Sequence, residues 1–304
     1  MSDDPVSRRA VVQSIAASTL LSGIPIMSYA ETAFTQRMTV GDLTVTALSD
    51  GHFDLPAEAF QNVGTHSLAS SLRAGATLWA ISTGTRSILV DAGSGDFLKA
   101  KYPATGQMVE RLTAAGINPK TVSDIIVTHM HADHIGGLMK DGQPVFPNAV
   151  LHMSEVEWTY WTAEDRPSNV PAGQKPLAGL IQSIANGLPY ARQLHAGAAD
   201  LGEGVRLVPA PGHTPGHAMV HLSSGADQLL LLGDAMIAGP LQFERPQVTY
   251  VLDSDPELAL QTRLALFERI VADEVAFCAT HLNGLGKMRL ERAGDSYQGY
   301  QADA

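Results

Sequence analysis

One cysteine, Cys278, stands in 304 residues, so an intramolecular disulfide is excluded. It lies in Val275-Ala276-Phe277-Cys278-Ala279, an apolar run that suits a buried thiol better than a nucleophile. Positive charge is also scarce. Lys and Arg number 20 against 31 Asp and Glu, a net charge of −11 and the wrong sign for a general nucleic-acid binder. There is no Gly-x-Ser-x-Gly elbow, so a serine hydrolase of that type is excluded. The Gly-rich turn Asp91-Ala92-Gly93-Ser94-Gly95 lacks the Lys-Ser/Thr ending of a phosphate loop. Internal repeats and low-complexity tracts are absent.

The composition that remains, 45% hydrophobic and 17% charged, is that of a globular protein able to bury a large core. Residues 1–30 read as a targeting segment. Ser7-Arg8-Arg9-Ala10 is a twin-arginine pair, an apolar stretch runs from Ala16 to Ile26, and Ser28-Tyr29-Ala30 offers small residues for cleavage. Ser18, Ser22, Gly23 and Pro25 interrupt the stretch, so no stable membrane anchor is expected. The expected location is periplasmic or secreted; the alternative is a cytoplasmic protein with an N-terminal tail. Residues 36–304 are expected to form a single domain.

Within that domain, Thr128-His129-Met130-His131-Ala132-Asp133-His134 concentrates three imidazoles and a carboxylate. The β-branched run Ser123–Val127 before it reads as a buried strand, and Ile135-Gly136-Gly137-Leu138 after it as a turn into helix. His129 and His131, two apart, can grip one metal ion. Asp133 and His134 can reach a second ion, roughly 3.5–4 Å away in two-metal hydrolytic sites. Imidazole and carboxylate together suit zinc, iron, manganese or cobalt. A polar turn with solvated histidines is the alternative, and this density of ligand side chains argues against it.

The flanking pattern is strands then helices, twice. Strands are expected at Met38–Val40 and Leu43–Leu48 around the Gly41-Asp42 turn, with Ser49-Asp50-Gly51 closing the second. Phe53 to Ser71 is expected to be a loop near the site's mouth. A hairpin follows at Leu78–Ile81 and Ser87–Val90, then a helix over Gln107–Ala115, a strand at Pro147–Leu151 and helices over Ser154–Ala163 and Ala178–Gly187. Ser154 and Glu157 have capping-box spacing. These two helices are the natural place for a lid, and Trp158, Tyr160 and Trp161 would line a pocket or simply pack. Strands at Val205–Val208, Ala218–Leu222 and Gln228–Leu232, a helix over Pro256–Ala272 capped by Asp255, and a last strand at Glu274–Ala279 complete the reading. Two sheets packed face to face with helices outside are expected.

Three further ligands fall at expected strand ends: His213 in Pro211-Gly212-His213-Thr214-Pro215-Gly216-His217, Asp234 after Leu230-Leu231-Leu232-Gly233, and His281 after Phe277-Cys278-Ala279-Thr280. His129, His131 and His213 are assigned to one ion, and Asp133, His134 and His281 to the other, with Asp234 bridging them. Asp91 either orients a ligand histidine or serves as a turn residue. His217 is expected to support the site or the core. His52, His66, His152, His195 and His221 lack a ligand-like setting.

The His-x-His-x-Asp-His cluster, Gly-His-Thr-Pro-Gly-His, the Gly-Asp strand end and the late Thr-His resemble the metallo-β-lactamase superfamily over roughly Met38 to Arg292. The resemblance implies an α/β fold, the αβ/βα four-layer sandwich, with two divalent ions at one edge, zinc first among them. The bridging aspartate at Asp234 sets the chain apart from the true β-lactamases. The stretches Gly41–Gly51, Thr128–Leu138, Phe146–Val150 and Gln242–Asp255 are similar to methyl parathion hydrolase and its relatives. That likeness implies hydrolysis of organophosphate triesters, with Trp161 and Phe97, alongside Trp158, lining a substrate pocket. It also implies a homodimer. Lactonase activity, on acyl-homoserine or aromatic lactones, is the alternative, and a non-hydrolytic iron redox protein is the alternative of another class. Asp133 and Asp234 are the candidates to hold the attacking water and accept its proton. The expected partner is a small neutral substrate.

Overall fold

A computed structural model describes residues 34–64 and 68–302 of the chain. The expected targeting segment and His66 lie outside the described residues. Among the described residues no helix is long and apolar enough to cross a membrane.

The first half begins with β1 (Thr35–Val40), β2 (Leu43–Pro56), the short β3 (Phe60–Gln61), β4 (Ser71–Ser82) and β5 (Ser87–Val90). Helix α1 (Met108–Ala114) leads to β6 (Asp124–Ile126) and the one-turn α2 (Ala132–Ile135). A small ladder of β7 (Met139–Lys140) and β8 (Gln143–Pro144) precedes β9 (Val150–Ser154), α3 (Glu155–Thr162), α4 (Lys175–Asn186) and β10 (Arg192–His195). The second half contains β11 (Ala199–Asp200), β12 (Val205–Pro209), β13 (Ala218–Ser224), β14 (Asp227–Leu231), α5 (Gly239–Glu244), β15 (Thr249–Tyr250), α6 (Pro256–Ala272), β16 (Ala276–Cys278), β17 (Met288–Ala293) and β18 (Ser296–Gln301).

Two seven-stranded sheets result, ordered β1-β2-β4-β5-β6-β9-β10 and β11-β12-β13-β14-β16-β17-β18. Strand periodicity explains the layering. Successive side chains of a strand point to opposite faces. In β4 and β5, Trp79, Ile81, Ile88 and Val90 face the second sheet, while Leu78, Ala80 and Leu89 face outward. In β14, Leu229 and Leu231 meet the first sheet, while Leu230 packs outward with Phe267 and Phe277. Helices cover both outer faces. Ala178, Ile181, Ile184 and Ala185 of α4, at helical spacing, join the core outside the first sheet, and Leu266, Phe267 and Ile270 of α6 join that outside the second. The order is helix, sheet, sheet, helix: the αβ/βα sandwich.

Several expected boundaries move. β2 does not stop at Ser49-Asp50-Gly51; its register with β4 shifts there and the strand continues to Pro56. The bulge re-aims Asp50 inward, where its carboxylate accepts from the amides of Ser94, Gly106 and Met108 and from the Ser94 hydroxyl. The first four residues of the expected Phe53–Ser71 loop are therefore strand, with Phe53 and Leu55 buried between exposed Asp54 and Pro56. β9 starts at Val150, after a turn closed by the Ala149 amide on the Phe146 carbonyl, because Pro147 has no N–H to give a ladder. β16 is not last; β17 and β18 follow it, amphipathic enough only to bury Leu290 and Tyr297. Helices α3 and α4 are packed layers and not a lid. Asp255 caps α6 as expected, accepting from the Leu258 amide at 3.0 Å.

Candidate active site

The ligands gather beyond the C-terminal ends of four strands. His129 follows β6, His213 follows β12, Asp234 follows β14 and His281 follows β16. The segment 129–134 changes conformation midway: His131 is extended at the N-cap of α2, and Asp133 and His134 lie in its single turn. His129 and His131 thus reach one way, and Asp133 and His134 the other.

Two groups of donor atoms form. His129, His131, His213 and Asp234 make one, and Asp133, His134, Asp234 and His281 the other, all atoms within 4.8 Å of one another in each. Asp234 belongs to both. His213 Nε2 lies 3.0 Å from His131 Nδ1 and 3.3 Å from Asp234 Oδ2. His134 Nε2 lies 3.3 Å from Asp234 Oδ1, and His281 Nε2 lies 3.1 Å from Asp234 Oδ2. Such spacings match the edge of a tetrahedron with metal–ligand bonds of about 2.0–2.1 Å. Six of the seven are buried; Asp133, with 17% of its side chain exposed, opens the site to solvent.

The polar atoms of the site fit a pair of ions. His129 Nε2, His134 Nε2 and Asp234 Oδ1 are buried without a hydrogen-bond partner among the described residues. A buried polar atom left so costs about 1–3 kcal/mol unless something binds it. The opposite ring nitrogens are held. His134 Nδ1 donates to Asp91 Oδ2 at 2.8 Å, His213 Nδ1 to Asp253 Oδ1 at 2.9 Å, and His281 Nδ1 to the Gly75 carbonyl at 2.7 Å. That arrangement fixes each Nε2 as the free donor facing the ions.

Without ions the charges compete. Burial pushes His129 and His131 well below the usual imidazole range. Burial also opposes charge on His134, but the carboxylates of Asp234, Asp133 and Asp91 outweigh it and raise its pKa. Burial would raise Asp133, but His134 and His281 draw it down to about 2. The site thus concentrates negative charge with protons that metal binding displaces.

Around the ligands, Asp91 accepts from the Thr128 amide and hydroxyl as well as from His134, which resolves its role in favour of orientation. His217 donates from Nδ1 to the Ala210 carbonyl and accepts the Asp234 amide at Nε2, 3.0 Å. Gly233, at φ +55°, leaves room for this ring; a Cβ there would lie 2.8 Å from His217 Nε2. Of the histidines without a ligand-like setting, His152 pairs with Asp124 at 2.9 Å and with His195 at 3.3 Å, and His221 pairs with Gln228.

Glu157 departs most from its expected role. It does not cap α3 through the Ser154 end. Its carboxylate is fully buried and accepts from the Met130 amide, the Trp161 indole, the Thr214 hydroxyl and the Gly216 amide. It ties the first ligand segment to the His213 loop. Burial raises its pKa against those bonds. Gly216 is required by the contact, since a Cβ would meet the Glu157 amide nitrogen at 2.1 Å. The i, i+4 spacing of Glu157 and Trp161 was the one available signal. Asp253 was likewise missed as a histidine partner; only its place in a family-like stretch marked it.

The pocket residues divide. Trp161 is buried with its ring 5.6 Å from that of His131. Trp158 lies under the Arg192 guanidinium at 4.0 Å and packs against the outer core of the first sheet. Phe97 is 44% exposed on the loop after β5. Nearer the ligands are Phe53, 5.8 Å from His281, and Tyr250, whose ring stacks at 6.5 Å on His213.

Comparison with known proteins agrees with this picture. The metallo-β-lactamase superfamily matches residues 74–281. A probable metallo-hydrolase of Mycobacterium bovis is 31% identical over 179 residues, 55% of this chain and 52% of that one. The chain thus spans about half the length of the curated relatives it matches. Among solved structures, AidC, a dizinc quorum-quenching lactonase, superposes with TM-score 0.81 at 22% identity, covering 89% of this chain and 98% of that one. Hydrolase AbOPH of the β-lactamase superfamily does so with TM-score 0.81 at 24% identity, covering 90% and 99%. With that match spanning both groups of ligands, the chain belongs to the metallo-β-lactamase superfamily.

Proposed function

We propose that this protein is a dinuclear metal-dependent hydrolase of small, neutral, ester-like molecules. The observation that carries the reading is the sharing of Asp234 between two ligand groups. Bound there, two divalent ions, zinc first among the candidates, supply Lewis acidity and bring the pKa of a water toward about 7.

The chain's own residues do the rest. Asp133 is ionised at neutral pH and partly open to solvent, so it is placed to accept a hydrogen bond from an entering water. Asp91, Asp253 and the Gly75 carbonyl hold the imidazoles in one orientation, and Glu157 braces the two ligand loops. The ring partners of the ligands from outside the histidine set are Phe53, Trp161 and Tyr250, aromatic and uncharged. Such a wall favours an apolar, neutral substrate over an anionic one.

Lactones are the substrate class to which the neighbours lend weight, because AidC and other fold neighbours are lactonases. Organophosphate triesters of the methyl parathion type are the second reading, supported by the stretches around Phe146–Val150 and Gln242–Asp255. The deciding experiment measures kcat/KM of the metal-loaded protein on an acyl-homoserine lactone, dihydrocoumarin, paraoxon and a cephalosporin. Turnover of the lactones or the triester with little on the cephalosporin is expected, and the larger value names the class. Two bound ions with no turnover of any compound would overturn the hydrolase reading in favour of iron redox chemistry.

A further inference from the structure

Helix α6 carries an anomaly on its buried face. Ala259, Leu266, Phe267 and Ile270 share that face at helical spacing, and Arg263 stands among them, 1% exposed. An arginine is almost never buried so deeply unless it is paired. Among the described residues the Arg263 guanidinium donates to main-chain carbonyls alone. Nε and Nη2 reach the Pro246 carbonyl at 3.1 and 3.0 Å, Nη2 also reaches that of Val248 at 2.7 Å, and Nη1 reaches that of Ala235 at 3.4 Å. An apolar side chain would fill the same face, but a planar fork of N–H groups is needed to gather three carbonyls.

What Arg263 holds is the chain between two parts of the metal centre. Ala235 directly follows the bridging Asp234, and Pro246 and Val248 lead through β15 to Asp253, which orients His213. Gln242, also buried, tightens the same segment: its Nε2 donates to the Val248 carbonyl, and its Oε1 accepts the amides of Ile237 and Ala238. The preceding residue of α6, Thr262, donates to the Pro211 carbonyl at 2.7 Å. Gly212 presses on the same helix, since a Cβ there would meet the Ala259 amide nitrogen at 2.3 Å. One helix therefore grips the His213 loop through Thr262 and Ala259, and the segment from Asp234 to Asp253 through Arg263. Charge adds to the contact. Burial draws the guanidinium down to about 10, and the Asp253 carboxylate, itself buried, works against that shift.

We propose that Arg263 is a positioning residue for the metal centre, acting through Asp253 to fix His213 on the ion that it shares with His129 and His131. Arg263 bonds no ligand side chain, so its effect runs along the chain. It sets the Val248 carbonyl, and the segment from Val248 sets Asp253. The two carboxylate oxygens of Asp253 are then occupied, Oδ1 by His213 Nδ1 and Oδ2 by the Tyr250 amide, each at 2.9 Å. A partner that orients a ligand imidazole governs metal affinity, and Arg263 governs that partner. The inference concerns how the ions are held and does not depend on which bond the site cleaves.

The test is a double-substitution cycle on zinc affinity, read by competition with a chromophoric chelator in wild type, Arg263→Lys, Asp253→Asn and the pair. Lysine keeps the charge and loses the fork. The binding step that Asp253→Asn weakens identifies the His213 ion. Arg263→Lys is expected to weaken that step by about tenfold, to leave the other within about twofold, and to add less than about twofold in the Asp253→Asn background. Affinities like those of wild type with a lowered denaturation midpoint overturn the inference, because Arg263 would then serve packing alone. Equal losses at both ions overturn it as well, and so does a loss of full size in the Asp253→Asn background. Should Arg263→Lys not fold, Arg263→Gln, which keeps donors without the charge, takes its place in the cycle with the same expectation. Failure of both to fold would make Arg263 a folding residue and overturn the inference. If wild type holds fewer than two zinc ions, the two-ion reading fails and this inference falls with it.

Discussion

The two halves of the molecule contribute to the metal centre in opposite ways. The first half delivers four ligands from one short segment, His129 to His134. The second delivers three, His213, Asp234 and His281, each from its own strand end. The first group acquires its geometry locally, from an extended pair followed by a single helical turn. The second has no geometry until β12, β14 and β16 are assembled. The centre therefore reports on the docking of the two sheets, and ions bound there stabilise the assembled state.

Removing the residue that belongs to both halves should have the largest effect. Asp234→Ala should reduce bound metal from two ions per chain and lower kcat/KM by more than the roughly 10–100-fold typical of a lost supporting residue. Metal analysis of the purified variant checks it; two ions retained would break the bridging assignment.

The two orienting aspartates should then separate the two positions. Asp91→Asn should weaken the ion held by His134, and Asp253→Asn that held by His213, each by about 10–100-fold in affinity. Competition with a chromophoric chelator would resolve the two sites. Equal weakening of both ions in each variant would mean that the halves are not separable.

Glu157→Gln probes the tie between the halves. The carboxylate accepts four hydrogen bonds, and an amide nitrogen cannot accept those of Thr214 or Gly216 together with the others. Each stranded donor costs about 1–3 kcal/mol, read as a fall in the denaturation midpoint. An unchanged midpoint would show that the brace is dispensable.

His217 should make an acid-sensitive contribution to the stability of the metal-free protein. Burial, with His213 nearby, lowers His217 to about 3 in the folded state, below the 6.5 of a free imidazole. The unfolded chain then binds the extra proton, so stability falls as pH drops from about 6.5 toward 3. His217→Gln should flatten that part of a stability–pH curve. The smallest effect belongs to a histidine outside the centre: His195→Gln should leave metal content unchanged and shift stability by no more than about 0.5 kcal/mol.

The same contrast explains what could be read from the chain. The 129–134 cluster was legible because its ligands are neighbours in sequence. His213, Asp234 and His281 became legible only as strand ends considered together. Two packed sheets with helices outside followed from strand-and-helix order and the four-layer sandwich from the family resemblance, and the alternation of Ile88, Leu89 and Val90 places those side chains on opposite faces of the first sheet. What was not legible depends on long-range contact. Asp50 stands where the local pattern ends a strand, yet a bulge turns it inward onto a loop more than forty residues away. Glu157 matched a local capping pattern that its burial overrides. Asp253 and Tyr250 carry no motif, since their partners arrive from a distant loop.

Anomalous diffraction from crystals of the zinc-loaded protein tests the central claim most directly. Two peaks are predicted, one among His129, His131 and His213 and one among Asp133, His134 and His281, both touching Asp234. A single peak, or two that do not share Asp234, would contradict the account.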